Sequence, residues 1–264
     1  MSAVPESDQP VLLREDREGI CTLTFNRPQQ MNLLTGEMLS ALQREFESLK
    51  ADQKTRVVIL AATGKGFSAG HDLKEIRALK ELPKIEALFG QCSRMMQTIP
   101  LLPQPVIAKV QGVAAAAGCQ LVAQCDLAVA SSHARFAASG VNLGLFCSTP
   151  AVAISRNLGR KRAAEMLFTG EFVDADTALD WGLVNRVAPH DQAMEIAQEL
   201  ARNLKAKPRE VLALGKALFY RQLEQDMAAA YADASRTIAA NMDTDLAREG
   251  VDAFFDKRSP RWGD

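Results

Sequence analysis

The stretch QGVAAAAGCQLVAQCD, residues 111–126, places four consecutive alanines before Gly118 and offers its next polar side chain only at Gln120. It continues from PVIAKV, an apolar run rich in β-branched residues and bounded by breakers. We therefore predict a strand, a turn of small residues and a helix beginning at about Ala117. Small side chains let a ligand approach the main chain. The pattern therefore favours chemistry performed by backbone N–H groups.

The stretch GKGFSAGHDLKEI, residues 64–76, predicts a second arrangement of the same kind. It follows the strand-like run VVILAAT, and Asp72 is a suitable N-cap for a helix that begins at Leu73. The backbone N–H of His71 would then lie close to a helix N-terminus. Two such turns can direct two N–H groups at one carbonyl oxygen. Such a pair is an oxyanion hole, in which each donor contributes about 3 kcal/mol to stabilising negative charge on a carbonyl oxygen.

The first half of the chain alternates strand and helix patterns. GICTLTFN (19–26) alternates apolar and polar residues, RVVILAAT (56–63) is a short apolar run, and residues 35–52 have apolar side chains at helical spacing. Thr35 is the predicted N-cap of that helix. This alternation repeats a ββα unit and predicts an α/β core.

The second half predicts mainly helices. DADTALDWG reads as a short helix capped by Asp174 and ended by Gly182, and HDQAMEIAQELARNLKAKP has apolar residues at roughly helical spacing. A long helix-forming segment runs from Arg209 to about Asn241. We assign residues 1–200 to the core and residues 201–264 to a helical C-terminal region.

Composition excludes several classes of function. Lysine and arginine (31) nearly balance aspartate and glutamate (32), so no overall field favours nucleic acid or an anionic membrane. The five cysteines show no CxxC spacing, which predicts reduced buried thiols, a cytoplasmic location and no metal site. The N-terminus resembles neither a signal nor a transit peptide, so a mitochondrial matrix location would require a missing transit peptide. No apolar run predicts a membrane span.

Several segments together resemble the enoyl-CoA hydratase/isomerase (crotonase) family over nearly the whole chain: NRPQQMNLLT, GKGFSAGHDLKE, VQGVAAAAGCQLVAQCDLAVAS, ARFAASGVNLGL, AAEMLFTGEFVDADTALDWGLVNRV and EGVDAFFDKRSPRW. The resemblance implies a spiral of ββα units with a helical C-terminal part used in trimerisation, and a homotrimer or dimer of trimers. It implies an acyl-CoA thioester as substrate, with no cofactor other than the coenzyme A that the substrate carries.

The resemblance also assigns roles to particular residues. The oxyanion-hole donors fall on the backbone N–H groups of His71 and Ala117. The resemblance places the CoA adenine and pantetheine along two segments, which contain Gln29 and Met31 in one and Ala69, Asp72, Leu73 and Lys74 in the other. It also implies a C-terminal lysine that approaches the CoA phosphates, and the matching residue is Lys257. The imidazole of His71 could act as an acid or base, but the resemblance supports only its backbone N–H.

The sequence departs from the family at both catalytic carboxylates. Hydratases of the family use two glutamates, whose positions fall here on Gln120 and Gly140. Glutamine can orient a water but cannot take its proton near neutral pH, and losing general acid–base help costs about 10²- to 10⁴-fold in rate per group. Three functions stay open: an acyl-CoA enzyme with unconventional acid–base groups, a catalytically impaired acyl-CoA-binding protein, and acyl transfer or thioester hydrolysis through Cys147. A small buried thiol is the simpler interpretation of Cys147.

Overall fold

The computed structural model describes residues 9–262, which form two β-sheets and eleven α-helices. The strands are β1 (Leu12–Arg17), β2 (Ile20–Phe25), β3 (Val57–Ala62), β4 (Gly66–Ser68), β5 (Val106–Val110), β6 (Val113–Ala115), β7 (Leu127–Ser131), β8 (Arg135–Ala137), β9 (Val173–Asp174) and β10 (Arg186–Ala188). The helices are α1 (Gly36–Ala51), α2 (Leu73–Leu79), α3 (Leu82–Thr98), α4 (Ala117–Gln124), α5 (Ser148–Asn157), α6 (Arg160–Thr169), α7 (Ala175–Trp181), α8 (Ala193–Lys205), α9 (Arg209–Gln222), α10 (Met227–Met242) and α11 (Asp245–Phe255).

The chain alternates between the two sheets. The larger sheet has the strand order β1-β2-β3-β5-β7-β10, with β1 antiparallel to β2 and the remaining neighbours parallel. The smaller has the order β4-β6-β8-β9. In three successive repeats, β3-β4-α2, β5-β6-α4 and β7-β8-α5, the first strand joins the larger sheet and the second joins the smaller. The predicted spiral of ββα units is confirmed.

The central strand β3 explains how the larger sheet is covered on both faces. All six of its residues are buried. Because successive side chains of a strand point to opposite faces, Val58 and Leu60 enter the main core, which includes the apolar side of α1, while Val57 and Ile59 pack in a second cluster with Ala197 of α8. Burying one such aliphatic side chain contributes about 1.5–3 kcal/mol.

The predicted helix boundaries are confirmed where a capping side chain defines them. Thr35 accepts a hydrogen bond from the Met38 N–H at 3.2 Å and begins α1. Asp174 accepts from the Thr177 N–H at 2.8 Å and begins α7, which ends at Gly182 in the left-handed region (φ 86°). Both boundaries depend on contacts within four residues, which is why local sequence could locate them.

Two features of the second half differ from expectation. The helix-forming segment from Arg209 to about Asn241 divides into α9 and α10, because Asp226 accepts from the Ala229 N–H at 3.0 Å and starts a new helix. The short strands β9 and β10 also lie in the half that predicted mainly helices. They pair with β8 and β7, so they depend on contacts distant in sequence. The division at residue 200 stays a prediction, and α8 runs across that residue.

A buried ion pair attaches the C-terminal helices to the core. Lys216 of α9 places its Nζ 2.6 Å from Asp126 Oδ2 and donates to the Gln104 carbonyl at 2.9 Å. The Tyr220 hydroxyl donates to Asp126 Oδ1 at 2.7 Å. Removing one partner of a buried pair costs about 3–5 kcal/mol, because the other charge is left uncompensated.

Beyond α9, the C-terminal helices bury little within one copy of the chain. None of the residues of α10 is buried, and Ala253 is the buried residue of α11. The large apolar side chains that remain exposed here are Met227, Tyr231, Ile238, Met242, Val251, Phe254 and Phe255. Among residues 9–262, no helix combines the length and apolar character needed to cross a membrane.

Candidate functional site

Two strand–turn–helix junctions pack backbone against backbone. The first junction (residues 68–73) leads from β4 to α2, and the second junction (residues 115–118) leads from β6 to α4. A β-carbon built on Gly70 would lie 3.1 Å from the Ala117 nitrogen, and one built on Gly118 would lie 2.2 Å from the Ser68 carbonyl oxygen. Because these positions leave no room for a side chain, the glycines bring the main chains of the two junctions into contact.

Within the described residues, the backbone N–H groups of His71 and Ala117 have no hydrogen-bond acceptor, whereas the residues directly before them do. In the first junction Ala69 donates to the Met31 carbonyl at 3.0 Å and Gly70 to Ser68 Oγ at 3.2 Å. In the second, Ala116 donates to the Ala137 carbonyl at 2.8 Å. Within residues 9–262, neither His71 N–H nor Ala117 N–H is taken up by a protein acceptor. Both remain available as donors to a ligand.

The second junction contains a strained residue directly before its donor. Ala116 has φ 49° and ψ −117°, a conformation that costs a residue with a β-carbon about 1–3 kcal/mol. Its two ends are fixed, because its N–H is bound to Ala137 and its carbonyl accepts from the Gln120 N–H at 3.0 Å. No side chain caps α4. The partial positive charge of the helix N-terminus therefore adds to the Ala117 donor.

The imidazole of His71 is held in a largely buried environment. Its Nδ1 lies 3.1 Å from the Leu34 carbonyl oxygen, and Phe89 of α3 meets the ring edge to face at a centroid distance of 5.1 Å. The Nε2 atom is buried and has no hydrogen-bond partner in the described part of the chain. Burial lowers the pKa of His71 below its ordinary value, against a smaller opposing effect of the Leu34 carbonyl.

Gln120 is buried without using its side-chain amide. The residue is 4% exposed and lies in α4, three positions after Ala117. Four other glutamines also have a buried oxygen without a partner, but each anchors its amide nitrogen; they are Gln43, Gln104, Gln111 and Gln225. For Gln120, neither amide atom has a protein partner among residues 9–262. Since buried polar groups are normally satisfied, this amide is a candidate ligand contact.

The predicted positions Gly140 and Cys147 lie against each other. The Gly140 N–H donates to Cys147 Sγ at 3.3 Å. A β-carbon on Gly140 would lie 2.9 Å from that sulfur and 2.5 Å from the Leu145 carbonyl oxygen, so the local backbone excludes a side chain there. Burial raises the pKa of the Cys147 thiol, with a smaller opposing effect of the Gly140 N–H. No histidine contacts the thiol in the described residues, so it lacks the partner that would activate it as a nucleophile.

The segment containing Gln29 and Met31 is attached to the first junction. Gln29 is exposed in a short 3-10 helix, and Met31 packs its methyl group over Gly66. Asn32, which sequence reasoning missed, holds this segment through bonds of its Nδ2 to the carbonyls of Thr63 and Gly66, both at 2.9 Å. Its position within the quoted NRPQQMN motif was the available signal.

The remaining predicted CoA residues lie at helix ends. Asp72 caps α2 by accepting from the N–H groups of Lys74 at 2.8 Å and Glu75 at 3.4 Å. Leu73 and Lys74 are exposed on the first turn. Lys257 is exposed just after α11, and its ammonium forms no ion pair within the described chain. The structure thus groups Asp72, Leu73 and Lys74 at the start of α2, beside or within the first junction, while Lys257 belongs to the C-terminal helices.

Two other features contribute nothing to this site. A groove of about 620 Å³ between α1 and α3 is lined by residues including Ser40, Arg44 and Arg94, none of them a predicted site residue. Over the residues described, no group of three or more histidine, cysteine, aspartate or glutamate side chains could hold a metal ion. The five cysteines are free and buried, as predicted.

Comparison with known proteins identifies the family of this chain. A sequence profile described as enoyl-CoA hydratase/isomerase matches residues 15–264. The chain belongs to the enoyl-CoA hydratase/isomerase family. It is 43% identical over 260 residues to the enoyl-CoA hydratase domain-containing protein 3, mitochondrial, of Rattus norvegicus, covering 98% of this chain and 87% of the rat protein. The human protein of that name is 44% identical, covering 93% and 81%.

Solved structures of this family superpose closely. The enoyl-CoA hydratase of Mycobacterium smegmatis has a TM-score of 0.94 at 55% identity, covering 96% of this chain and 99% of that one. The human enoyl-CoA hydratase domain-containing protein 3 has a TM-score of 0.92 at 42% identity, covering 96% and 100%. The segments GLFCSTPAVAISR and LGKALFYRQLEQD, which resemble the domain-containing protein 3 group within the family, led to the same prediction. That prediction is confirmed.

Proposed function

We propose that this chain is an enzyme of acyl-CoA metabolism that polarises a thioester carbonyl between the N–H groups of His71 and Ala117. The observation that carries the proposal is that these two N–H groups have no protein acceptor within residues 9–262, although Gly70 packs the two junctions together. Two such donors would stabilise an enolate oxygen by about 3 kcal/mol each. The reaction proposed is hydration of an enoyl-CoA, a lyase activity of fatty acyl-CoA metabolism.

We assign the CoA moiety of the substrate to the residues at the edge of the site. Lys74 is an exposed cation beside the first junction, and Lys257 is a second exposed cation near the chain's end. A lysine suits a phosphate because it is a compact charge on a flexible stem. Gln29, Met31, Ala69, Asp72 and Leu73 complete the proposed path. The substrate brings its own coenzyme A, so the proposal includes no further cofactor.

The proposal includes assembly into a trimer or a dimer of trimers. Its support is the apolar surface that α10 and α11 leave exposed in one copy of the chain. Light scattering on the purified protein should give three or six times the 28.7 kDa chain mass, and a monomeric mass would contradict it. The names of the rat and human relatives include the word mitochondrial; a cytoplasmic location for this chain stays a prediction.

The test combines binding and turnover on the same protein. Isothermal titration with butyryl-CoA, a saturated analogue, measures the CoA-ester site, and the loss of enoyl absorbance measures hydration of crotonyl-CoA. We expect binding and measurable hydration. Gln120→Glu should raise the rate, because it restores a carboxylate three residues after the Ala117 donor, whereas Gln97→Glu on the exposed side of α3 is the matched control. Failure to bind butyryl-CoA would contradict the proposed function.

A catalytically impaired acyl-CoA-binding protein is the second candidate. It is favoured by the packing of Gly140, where Cys147 Sγ and the Leu145 carbonyl occupy the space that a glutamate side chain would need. Gly140→Glu would disturb this loop, so the hydration rate of that variant would not show whether the missing glutamate accounts for low activity. Binding of butyryl-CoA without hydration by either the native protein or Gln120→Glu would favour this candidate.

Acyl transfer or thioester hydrolysis through Cys147 is the third alternative left open by the sequence. The raised pKa of the thiol and its contact with Gly140 weaken it. Release of free CoA from acyl-CoA esters, compared between the native protein and Cys147→Ala, measures this activity. Equal release by both proteins would eliminate the cysteine route.

A further inference from the structure

The site as described has donors for the thioester oxygen but no carboxylate to move a proton. The two carboxylates of the first junction and α2 have other partners. Asp72 accepts from the first-turn N–H groups of α2, and both oxygens of Glu75 lie 3.2 Å from the Gly36 N–H at the start of α1. Gln120 and Gly140 stand where the family has glutamates. Hydration still requires a group that accepts a proton from water and returns one to carbon.

The His71 ring has a defined tautomer. A carbonyl oxygen can only accept, so the 3.1 Å contact with Leu34 places the proton on Nδ1 and leaves the lone pair on Nε2. Nε2 is then an unused proton acceptor. Among the six buried side-chain atoms without a partner in residues 9–262, it is the one that does not belong to a glutamine. An unsatisfied group of this kind in a native protein calls for an explanation, and one explanation is a catalytic role.

The surroundings of the ring keep it neutral. The ring contacts Phe89 of α3 and the Leu34 carbonyl before α1, and no charged side chain contacts it within the described chain. Two carboxylates near the ring, Asp72 and Glu75, are engaged as caps, and Cys92 of α3 is a buried thiol whose pKa is raised to about 12. The other charged side chains on α2 and α3 are exposed and have no resolved effect on the ring; they are Lys74, Arg77, Lys84, Glu86 and Arg94, and Glu37 lies in the first turn of α1. Burial therefore lowers the pKa of His71 without a compensating anion.

The two unused side chains belong to the two junctions that touch. His71 is in the first junction, and Gln120 lies in the helix that begins at the second, one turn after the Ala117 donor. The contact between Gly70 and Ala117 brings those segments together. His71 lies just before α2, a helix without a fully buried residue whose Ile76 and Leu79 pack at the edge of the main core.

We propose that Nε2 of His71 is the proton acceptor and donor of the reaction, in place of the two glutamates, and that the Gln120 amide positions the attacking water. This assignment rests on the proposed function. The water oxygen bonds to C3 of the enoyl thioester, the C2–C3 π electrons form the C1–C2 double bond of the enolate, and the carbonyl π electrons move to the thioester oxygen, which the two N–H groups hold. Nε2 takes a proton from the water and then delivers it to C2, so one water is added and the imidazole is regenerated.

The chemistry suits a neutral imidazole with a lowered pKa. It is unprotonated and ready to act near neutral pH, and its imidazolium is a better acid toward the enolate than an ordinary histidine would be. The Leu34 carbonyl remains hydrogen-bonded to Nδ1–H and stabilises the transient positive charge. This gives His71 two separate contributions, one through its backbone N–H and one through its ring.

The experiment separates these contributions. Hydration of short- and medium-chain trans-2-enoyl-CoA thioesters is measured across pH for the native protein, His71→Gln and His71→Ala, with butyryl-CoA affinity measured in parallel. Both variants keep the backbone N–H. We expect kcat to fall about 100-fold or more while butyryl-CoA affinity changes little. The native kcat/KM should rise with pH through an apparent pKa below about 6.5, and added imidazole should partly restore His71→Ala.

Two matched controls use the other histidines. His133 and His190 are exposed and stack on each other at a centroid distance of 4.5 Å, and neither is a predicted site residue. His133→Gln and His190→Gln should keep the native rate and pH profile. An unchanged rate in His71→Gln, or the absence of turnover in the native protein at every pH, would overturn the role of the ring. Failure of the native protein to bind butyryl-CoA would instead overturn the proposed function itself.

Discussion

The two junctions deliver a free N–H by different means. The first turns at Gly70, whose φ of +90° suits a glycine, and then satisfies the start of α2 with the Asp72 side chain. The second turns at Ala116, an alanine forced to φ 49°, and leaves the start of α4 uncapped. The first junction is relaxed and capped, whereas the second is strained and open.

The difference indicates that the two proposed donors differ in electrostatic strength. In the first junction, Asp72 places a carboxylate at the helix start, which offsets the partial positive charge there. In the second, no side chain caps the helix start in the described residues, so the proposed Ala117 donor keeps the full partial positive charge of the helix N-terminus. Strain retained at such a position is a sign of function, since the surroundings must maintain it at a cost in stability.

The largest effect is expected from a substitution that breaks the contact between the two junctions. Gly118→Ala would place a β-carbon 2.2 Å from the Ser68 carbonyl oxygen, which is backbone and cannot rotate away. We expect the free energy of unfolding to fall by about 3 kcal/mol, measured by urea denaturation. The matched control is Gly215→Ala in α9, where an added β-carbon meets nothing within 4 Å and should be neutral or stabilising. Equal stability of the two variants would contradict the packing argument.

A smaller effect separates capping from donor placement. Asp72→Ala should cost about 1 kcal/mol of stability through loss of the α2 cap and should also weaken butyryl-CoA binding, because the His71 N–H loses its support. Asp226→Ala removes the corresponding cap of α10. It should cost similar stability and leave affinity unchanged. If both variants bind butyryl-CoA like the native protein, the first junction does not need its cap to present the donor.

The smallest effect tests the strain in the second junction. Ala116→Gly relieves a positive φ but increases the freedom of the unfolded chain, so we expect a net stabilisation of about 0.5 kcal/mol. Ala232→Gly, at an exposed position of α10, should instead destabilise by about 1 kcal/mol. Thermal unfolding of the two variants measures both. A destabilised Ala116→Gly protein would show that the alanine conformation is not strained.

The predictable parts of the fold are those determined by short-range contacts. Periodicity located β2, β3 and β5, and the side chains of Thr35, Asp72 and Asp174 marked helix starts because a cap and its target lie within three residues. The strands β9 and β10 were missed, because each has at most three residues and pairs with a distant strand. The ion pair of Asp126 and Lys216 was missed for the same reason.

The two strand–turn–helix junctions of the candidate site were predictable from the sequence. The two turns could be recognised from their small residues, and their pairing through Gly70 required only that the junctions meet. The side-chain half was not predictable from spacing. Neither the packing of Cys147 on Gly140 nor the unpartnered state of Gln120 follows from local sequence, because both depend on which atoms the fold brings into contact.

The attachment of Asp126 has a mechanical consequence for α4. This helix has eight residues, so it is a rod about 12 Å long, with the Ala117 donor at one end and Asp126 two residues beyond the other. Asp126 is fixed to the Val106 N–H at 2.6 Å and to Lys216 and Tyr220 of α9. If α9 moved along the axis of α4, Asp126 would carry α4 with it, and the Ala117 N–H at the other end of the helix would move by the same distance. The position of the Ala117 N–H therefore depends on α9 as well as on the turn that contains it.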